Sequence, residues 1–177
     1  MQNVNAPLFI HVGKRMRGPE GRAIGKIRNV TLENITADGP YEPYEIIAWN
    51  YETYVAGDTL QLPWKAKFAY TNMDLTEDDP WQLTCNICGL KNRPLKNITL
   101  RNVHLELVGG VQDFNPTVRE LPREYPEVDA YGGVLSAAGI FFRHVDGLTL
   151  ENVTVKTLKP DARENFVFEN VAGLQIR

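Results

Sequence analysis

Chemistry-bearing side chains fall into a few runs. Asp74, Glu77, Asp78 and Asp79 form one acidic cluster, and Glu127 and Asp129 form a smaller one. Asp74 with Asp78 or Asp79, or Glu127 with Asp129, could serve as an acid and a base in bond hydrolysis. Lys14, Arg15, Arg17 and Arg22 lie among the glycines and Pro19 of a loop spanning Gly13 to Gly25. Those cations could grip an acidic substrate; the plainer alternative is a solvated loop. Trp49, Trp64 and Trp81 lie between Tyr41 and Leu83, with Tyr41, Tyr44, Tyr51, Tyr54 and Tyr70. Flat aromatic faces suit the apolar C–H patches of sugar rings, and neighbouring carboxylates could hold hydroxyls. The competing expectation is a mini-core of rings that bury one another.

Other motifs are less productive. Cys85 and Cys88 make one C-x-x-C, a spacing shared by redox pairs and half zinc sites. No second C-x-x-C or His-x-x-x-His completes a metal set. Two small apolar residues near a strand end are expected instead. His11, His104 and His144 have no flanking Ser or Cys nucleophile signature and read as structural. No catalytic residue, metal ligand or cofactor is assigned.

These groups need a scaffold, and a repeated phrase supplies it. Ile27-Arg28-Asn29-Val30-Thr31-Leu32-Glu33-Asn34-Ile35-Thr36 returns as Leu95 to His104 and as Val145 to Thr154. A clipped copy runs from Val171 to Ile176, and Met1-Gln2-Asn3-Val4 aligns with Leu32 to Ile35. The chain is therefore expected to begin inside a repeat. Within each phrase, apolar residues alternate with polar ones in two strokes broken at an Asn. Asn suits a corner because it tolerates left-handed backbone. Recurring strand–corner–strand units predict a solenoid of strands, with the asparagines stacked in a ladder. The 50 residues from Asn102 to Asn152 are read as two units of about 25. Asn29, Asn34, Asn97 and Asn152 also fit the N-x-Thr glycosylation pattern, which is taken as a by-product of the repeat.

The fold expectation is an all-β, right-handed parallel β-helix: one partial domain over 1–177. An aromatic-rich excursion covers 41–83 and a Pro- and charge-rich loop covers 111–133. Short strands are expected within Ile46–Tyr51 and Lys67–Tyr70, and Phe166 and Phe168 should share a side. The chain has 177 residues, 43% hydrophobic and 23% charged, which suits one domain with a sizeable core. A net charge of −3 offers no basic footprint for nucleic acid or an anionic membrane. No apolar run approaches the roughly 18 residues of a membrane span. Met1 to Pro7 shows neither the basic start nor the apolar stretch of a signal peptide.

Several phrases carry a family resemblance. Gly89-Leu90 before Leu95 to Val103 resembles the late coils of polygalacturonase-like proteins, glycoside hydrolase family 28. So do Glu124-Tyr125-Pro126-Glu127, Tyr131-Gly132, Ala138 to Leu150, Asp161-Ala162-Arg163 and Phe166-Val167-Phe168. Ala6-Pro7-Leu8-Phe9-Ile10 resembles the strand that follows the family's catalytic region. The resemblance leaves Tyr41–Leu83 uncovered. It implies a right-handed parallel β-helix acting on uronic-acid-containing, pectin-type polysaccharide, outside the cell or in the periplasm. It also implies hydrolysis by inversion, with an acid and a base spaced to admit water. The family's Asn-Thr-Asp, Gly-His-Gly and Arg-Ile-Lys motifs are absent, and Asp78-Asp79 is a bare pair in the wrong order. The chain is thus expected to be the C-terminal part of such an enzyme, inactive alone; a non-catalytic carbohydrate-binding or scaffold module is the alternative. Lys14, Arg15, Arg17 and Arg22 would then meet uronate carboxylates, and Trp49, Trp64 and Trp81 the sugar rings. Partners would be polysaccharides or oligosaccharides, plus self-association through an uncapped N-terminal coil.

Overall fold

The computed structural model describes residues 1–2, 4, 6–13, 21, 23–39, 47–48, 60–61, 84–118, 120, 131 and 134–177, with 47–48 and 60–61 as backbone alone. Among them the only regular element is the strand: β1 (Phe9–His11), β2 (Arg28–Gly39), β3 (Ile47–Ala48), β4 (Leu60–Gln61), β5 (Cys85–Cys88), β6 (Leu95–Gly109), β7 (Ala137–Lys159) and β8 (Glu164–Ile176). One parallel sheet runs β1-β5-β7-β6-β2, with β8 on the other side of β7. β3 and β4 form a separate antiparallel pair. β3 falls inside the expected Ile46–Tyr51 strand; β4 was not expected, and Lys67–Tyr70 lies outside the described residues.

The repeated phrases stack directly. Val30 pairs with Ile98, Ile98 with Leu148 and Leu148 with Leu174; Leu32, Leu100, Leu150 and Ile176 form the row two residues on. Both rows point inward, with Ile98, Leu100, Leu148 and Leu150 fully buried. Period-two geometry sends the intervening Thr31, Thr99 and Thr149 outward. One expectation is corrected here. β6 and β7 are neighbours, so the 50 residues from Asn102 to Asn152 are a single step of the stack, not two. Steps of unequal length can share one register because each doubling of a loop adds only about 0.6 kcal/mol of closure entropy.

Corners bend these long strands. Asn29, Asn34, Asn97, Asn102, Asn152 and Asn170 all have φ between 51° and 58°, as does His144. A left-handed residue resets the alternation: Leu32 points in, Glu33 out, Asn34 turns, and Ile35 points in again. The amides stack as the sequence predicted. Asn97 donates to Asn29 at 2.9 Å, Asn102 to Asn34 at 3.1 Å and Asn152 to Asn102 at 3.0 Å. The N-x-Thr asparagines thus spend their side chains on the ladder. In the Asn29–Asn97 column the next two tiers carry Gly147 and Gly173, also left-handed. A Cβ on Gly147 would sit 2.8 Å from the Asn97 amide oxygen, so this column gives up its side chains after two tiers.

Met1–Val4 corrects a second expectation. The segment does lie along β2, but farther along than the phrase alignment placed it. The Met1 ammonium donates to Thr36 O, Asp38 N donates to Met1 O, and Val4 N donates to Asp38 O. Val4 therefore lies beside Asp38, not opposite the tier position of Ile35.

Candidate anion-binding groove

The sheet has two outer faces. On the β1-β5-β7-β8 side, one outward row is His11, Cys88, Arg143 and Glu169. Val118, Tyr131 and Leu135, from the loop that precedes β7, cover it. Arg143 is 3% exposed. Its guanidinium donates to Val118 O and to Glu169 Oε1, and it lies 5.8 Å from the ring centres of both Tyr131 and Phe141. Its charge is met by a carboxylate and two ring faces, which lets an arginine be buried here.

All three histidines are hydrogen-bonded to side chains of other segments. His144 occupies a corner: Asn170 donates to its Nδ1 and its Nε2 reaches Glu120 Oε1, both at 2.6 Å. These contacts assign the Nε2–H tautomer. His11 Nε2 shares a hydrogen bond with Tyr131 Oη at 3.1 Å. Burial lowers His11 to about 4 and raises Tyr131. His104 shares an outward hydrogen bond with Thr154 at 2.8 Å. Cys85 points into the main core and Cys88 to the covered outer face, because residues three apart in a strand face opposite ways. The pair can neither close a disulfide nor share a metal. Burial pushes Cys85 up to about 12 and Cys88 higher still, so both remain thiols.

A buried clamp pins the covering loop. Arg163 binds Asp161 bidentately, with both contacts at 2.9 Å, and also donates to Leu135 O and Thr84 Oγ1. Asp161 accepts in addition from Val111 N at 3.2 Å. Burial alone would raise the Asp161 pKa, but its hydrogen bonds and the Arg163 charge outweigh that and hold it low.

The other outer face is open and charged. Arg101 bridges Glu33 and Glu151 at 3.3 and 3.0 Å, and Lys156 meets Glu106 at 2.6 Å. Where this face begins, a groove of about 320 Å³ is lined by Lys26, Ile27, Arg28, Asn92, Arg93, Pro94 and Lys96. The sequence builds it locally. Val145 follows the His144 corner directly, whereas residues 90–94 intervene between Gly89 and Leu95. Leu90 and Arg93 exchange backbone hydrogen bonds of 3.1 and 2.8 Å, closing a tight turn over Lys91-Asn92. Gly89 makes the turn feasible: any Cβ there would lie 2.5 Å from His144 O. The turn carries Arg93 toward Arg28 and Lys96, which share a row across β2 and β6.

Among the described residues, four cations and no carboxylate line this concavity. Lys96 is tied to Asp146 at 2.9 Å; Lys26, Arg28 and Arg93 have no carboxylate partner among the described residues. Such a site suits an extended anion, since guanidinium forks bind carboxylates bidentately. Sequence reasoning missed it, although Arg28 and Lys96 hold the same place in two copies of the phrase. Lys14, Arg15, Arg17, Arg22, Trp49, Trp64 and Trp81 lie outside the described residues, as do Asp74, Glu77, Asp78, Asp79, Glu127 and Asp129. Among the described residues no group of His, Cys, Asp and Glu is arranged to hold a metal ion. No helix among them is long and apolar enough to cross a membrane. No family model, curated protein or solved structure matches the chain.

Proposed function

We propose that this chain is a polygalacturonase-like right-handed parallel β-helix that holds uronic-acid-containing polysaccharide without cleaving it on its own. The observation that carries the reading is the groove of Lys26, Arg28, Arg93 and Lys96, cationic in a chain of net charge −3. Carboxylates spaced along a uronan would meet its cations, while Ile27 and Pro94 offer apolar surface to sugar C–H groups. The phrases that resemble glycoside hydrolase family 28 support the same substrate class. The missing Asn-Thr-Asp, Gly-His-Gly and Arg-Ile-Lys motifs support binding rather than hydrolysis. An extracellular or periplasmic setting follows from that substrate.

Calorimetric titration tests the reading. Oligogalacturonate should bind and a neutral galactan oligomer should not. Binding should weaken at least tenfold in an Arg28→Ala, Arg93→Ala double variant, and fall with added salt. Polygalacturonate incubated with the chain should release no reducing ends above a boiled control. Equal binding of neutral and acidic oligomers would remove the groove from the account. Reducing-end release would remove the non-catalytic reading.

A further inference from the structure

Arg28, Lys96 and Asp146 hold one outward row across three neighbouring tiers, on β2, β6 and β7. The local sequence sets them alike. Leu95 before Lys96 and Val145 before Asp146 are fully buried, and Ile27 before Arg28 packs against the same core. A left-handed residue follows each: Asn29 at φ 58°, Asn97 at 53° and Gly147 at 83°. Alternation turns the residue between core position and corner outward. Neighbouring strands of a sheet lie about 4.8 Å apart, so side chains along the row reach one another. Lys96 makes that contact with the acid: its Nζ donates to Asp146 Oδ2 at 2.9 Å.

The row therefore changes sign at its third tier. Arg28 and Lys96 line the groove, and Asp146 stands beside it, holding one of its cations. Ala172 takes the next place in the row, so no cation follows Asp146 there. Both members of the pair are more than half exposed, at 56% and 53%. Water screens such a pair, so replacing the Asp146 carboxylate by another carboxylate is close to neutral in free energy.

We infer that Asp146 is a resident competitor for the groove, occupying the ammonium that a ligand carboxylate uses. Resting on the reading that the groove binds uronate, this gives the same site its selectivity. Asp146 is tethered one tier from Lys96, so a free monocarboxylate competes against a high local concentration of carboxylate. A carboxylate on a chain already gripped by Arg28 and Arg93 is tethered too, and competes on equal terms. The groove thus turns away single carboxylates and holds ligands that carry several. Lys96 is the cation held in reserve, and Asp146 sets how much of its charge the ligand receives.

Calorimetric titration of the full chain with tetragalacturonate tests this. Asp146→Asn should tighten binding about threefold to fivefold, the scale of one exposed ion pair. Lys96→Gln should weaken binding more in the Asp146→Asn background than in the native chain, because only there is the ammonium unclaimed. Glu151→Gln removes a carboxylate farther along β7 and leaves Arg101 paired with Glu33, and should change binding less than about twofold. Unchanged affinity in Asp146→Asn would overturn the inference. So would equal tightening by Glu151→Gln, or equal costs of Lys96→Gln in the two backgrounds. The same series with citrate, a tricarboxylate without a sugar, separates the two proposals. Citrate binding with this order of variants, and tetragalacturonate left unbound, would remove the uronan reading and keep Asp146 as the competitor. Binding of neither ligand would remove both.

Discussion

The two outer faces of this sheet share a register and differ in almost everything else. On the β1-β5-β7-β8 side, outward Arg143 and His11 are buried beneath a loop, and the buried cations have carboxylate partners: Arg143 the half-exposed Glu169, Arg163 the buried Asp161. On the β2-β6-β7 side, outward residues stay in water and their ion pairs are exposed. Exposed pairs are each worth about 0–1 kcal/mol, whereas breaking a buried one costs about 3–5 kcal/mol. The difference separates roles. The covered face holds the tiers in place, and the open face can lose or exchange partners, as the proposed binding would require.

The comparison is broken most forcefully at Arg163. Arg163→Ala leaves the buried Asp161 carboxylate without its counter-charge and Leu135 O without its guanidinium donor, and should cost about 3–5 kcal/mol in denaturant unfolding. A loss under 1 kcal/mol would show that the covering loop is not held by this clamp.

The corners come next. Asn102 combines a φ of 51° with two ladder hydrogen bonds. Asn102→Ala should cost about 2 kcal/mol, from left-handed strain and lost hydrogen bonds. Asn102→Gly keeps the backbone freedom and should cost less. Equal losses would mean that the ladder, rather than the backbone conformation, carries the whole effect.

Acid separates the faces a third way. His11 is depressed to about 4 by burial, below its unfolded value of 6.5. Between those values the unfolded chain binds the proton and the folded chain does not. His11 therefore makes stability fall as pH drops from 6.5 toward 4, with full stability above 6.5. Below 3.8 the lowered Asp161 pKa adds a further loss. Unfolding followed against pH should flatten over the upper window in His11→Gln and keep the lower one.

Groove substitutions should do least to the fold. Arg28→Ala and Arg93→Ala should each shift stability by under about 0.5 kcal/mol, since neither side chain has a carboxylate partner among the described residues. A larger cost would assign those cations a structural task and weaken the contrast between the faces.

The fold was legible where local chemistry and tertiary packing agree. Asn34, Asn102 and Asn152, which end alternating strokes, are left-handed corners, and Phe166 and Phe168 do stack on one side, with ring centres 6.4 Å apart. The step length was misread because asparagines count residues, not tiers; a long excursion between two tiers leaves the register unaltered. The covered face was illegible for a different reason. Arg143 and Arg163 read as surface cations until the partners that bury them are known, and Thr84 and Leu135 are far away in sequence. The groove fell between these cases. Arg28 and Lys96 could be aligned from the repeat, but Arg93 enters only through a turn that the copy beginning at Val145 lacks.

Hydrogen–deuterium exchange with and without saturating oligogalacturonate tests the division of labour most directly. Added protection should be confined to residues 26–28 and 91–96, with residues 8–12, 85–88 and 137–144 unchanged. Protection centred on the covered face, with none at the groove, would contradict the account.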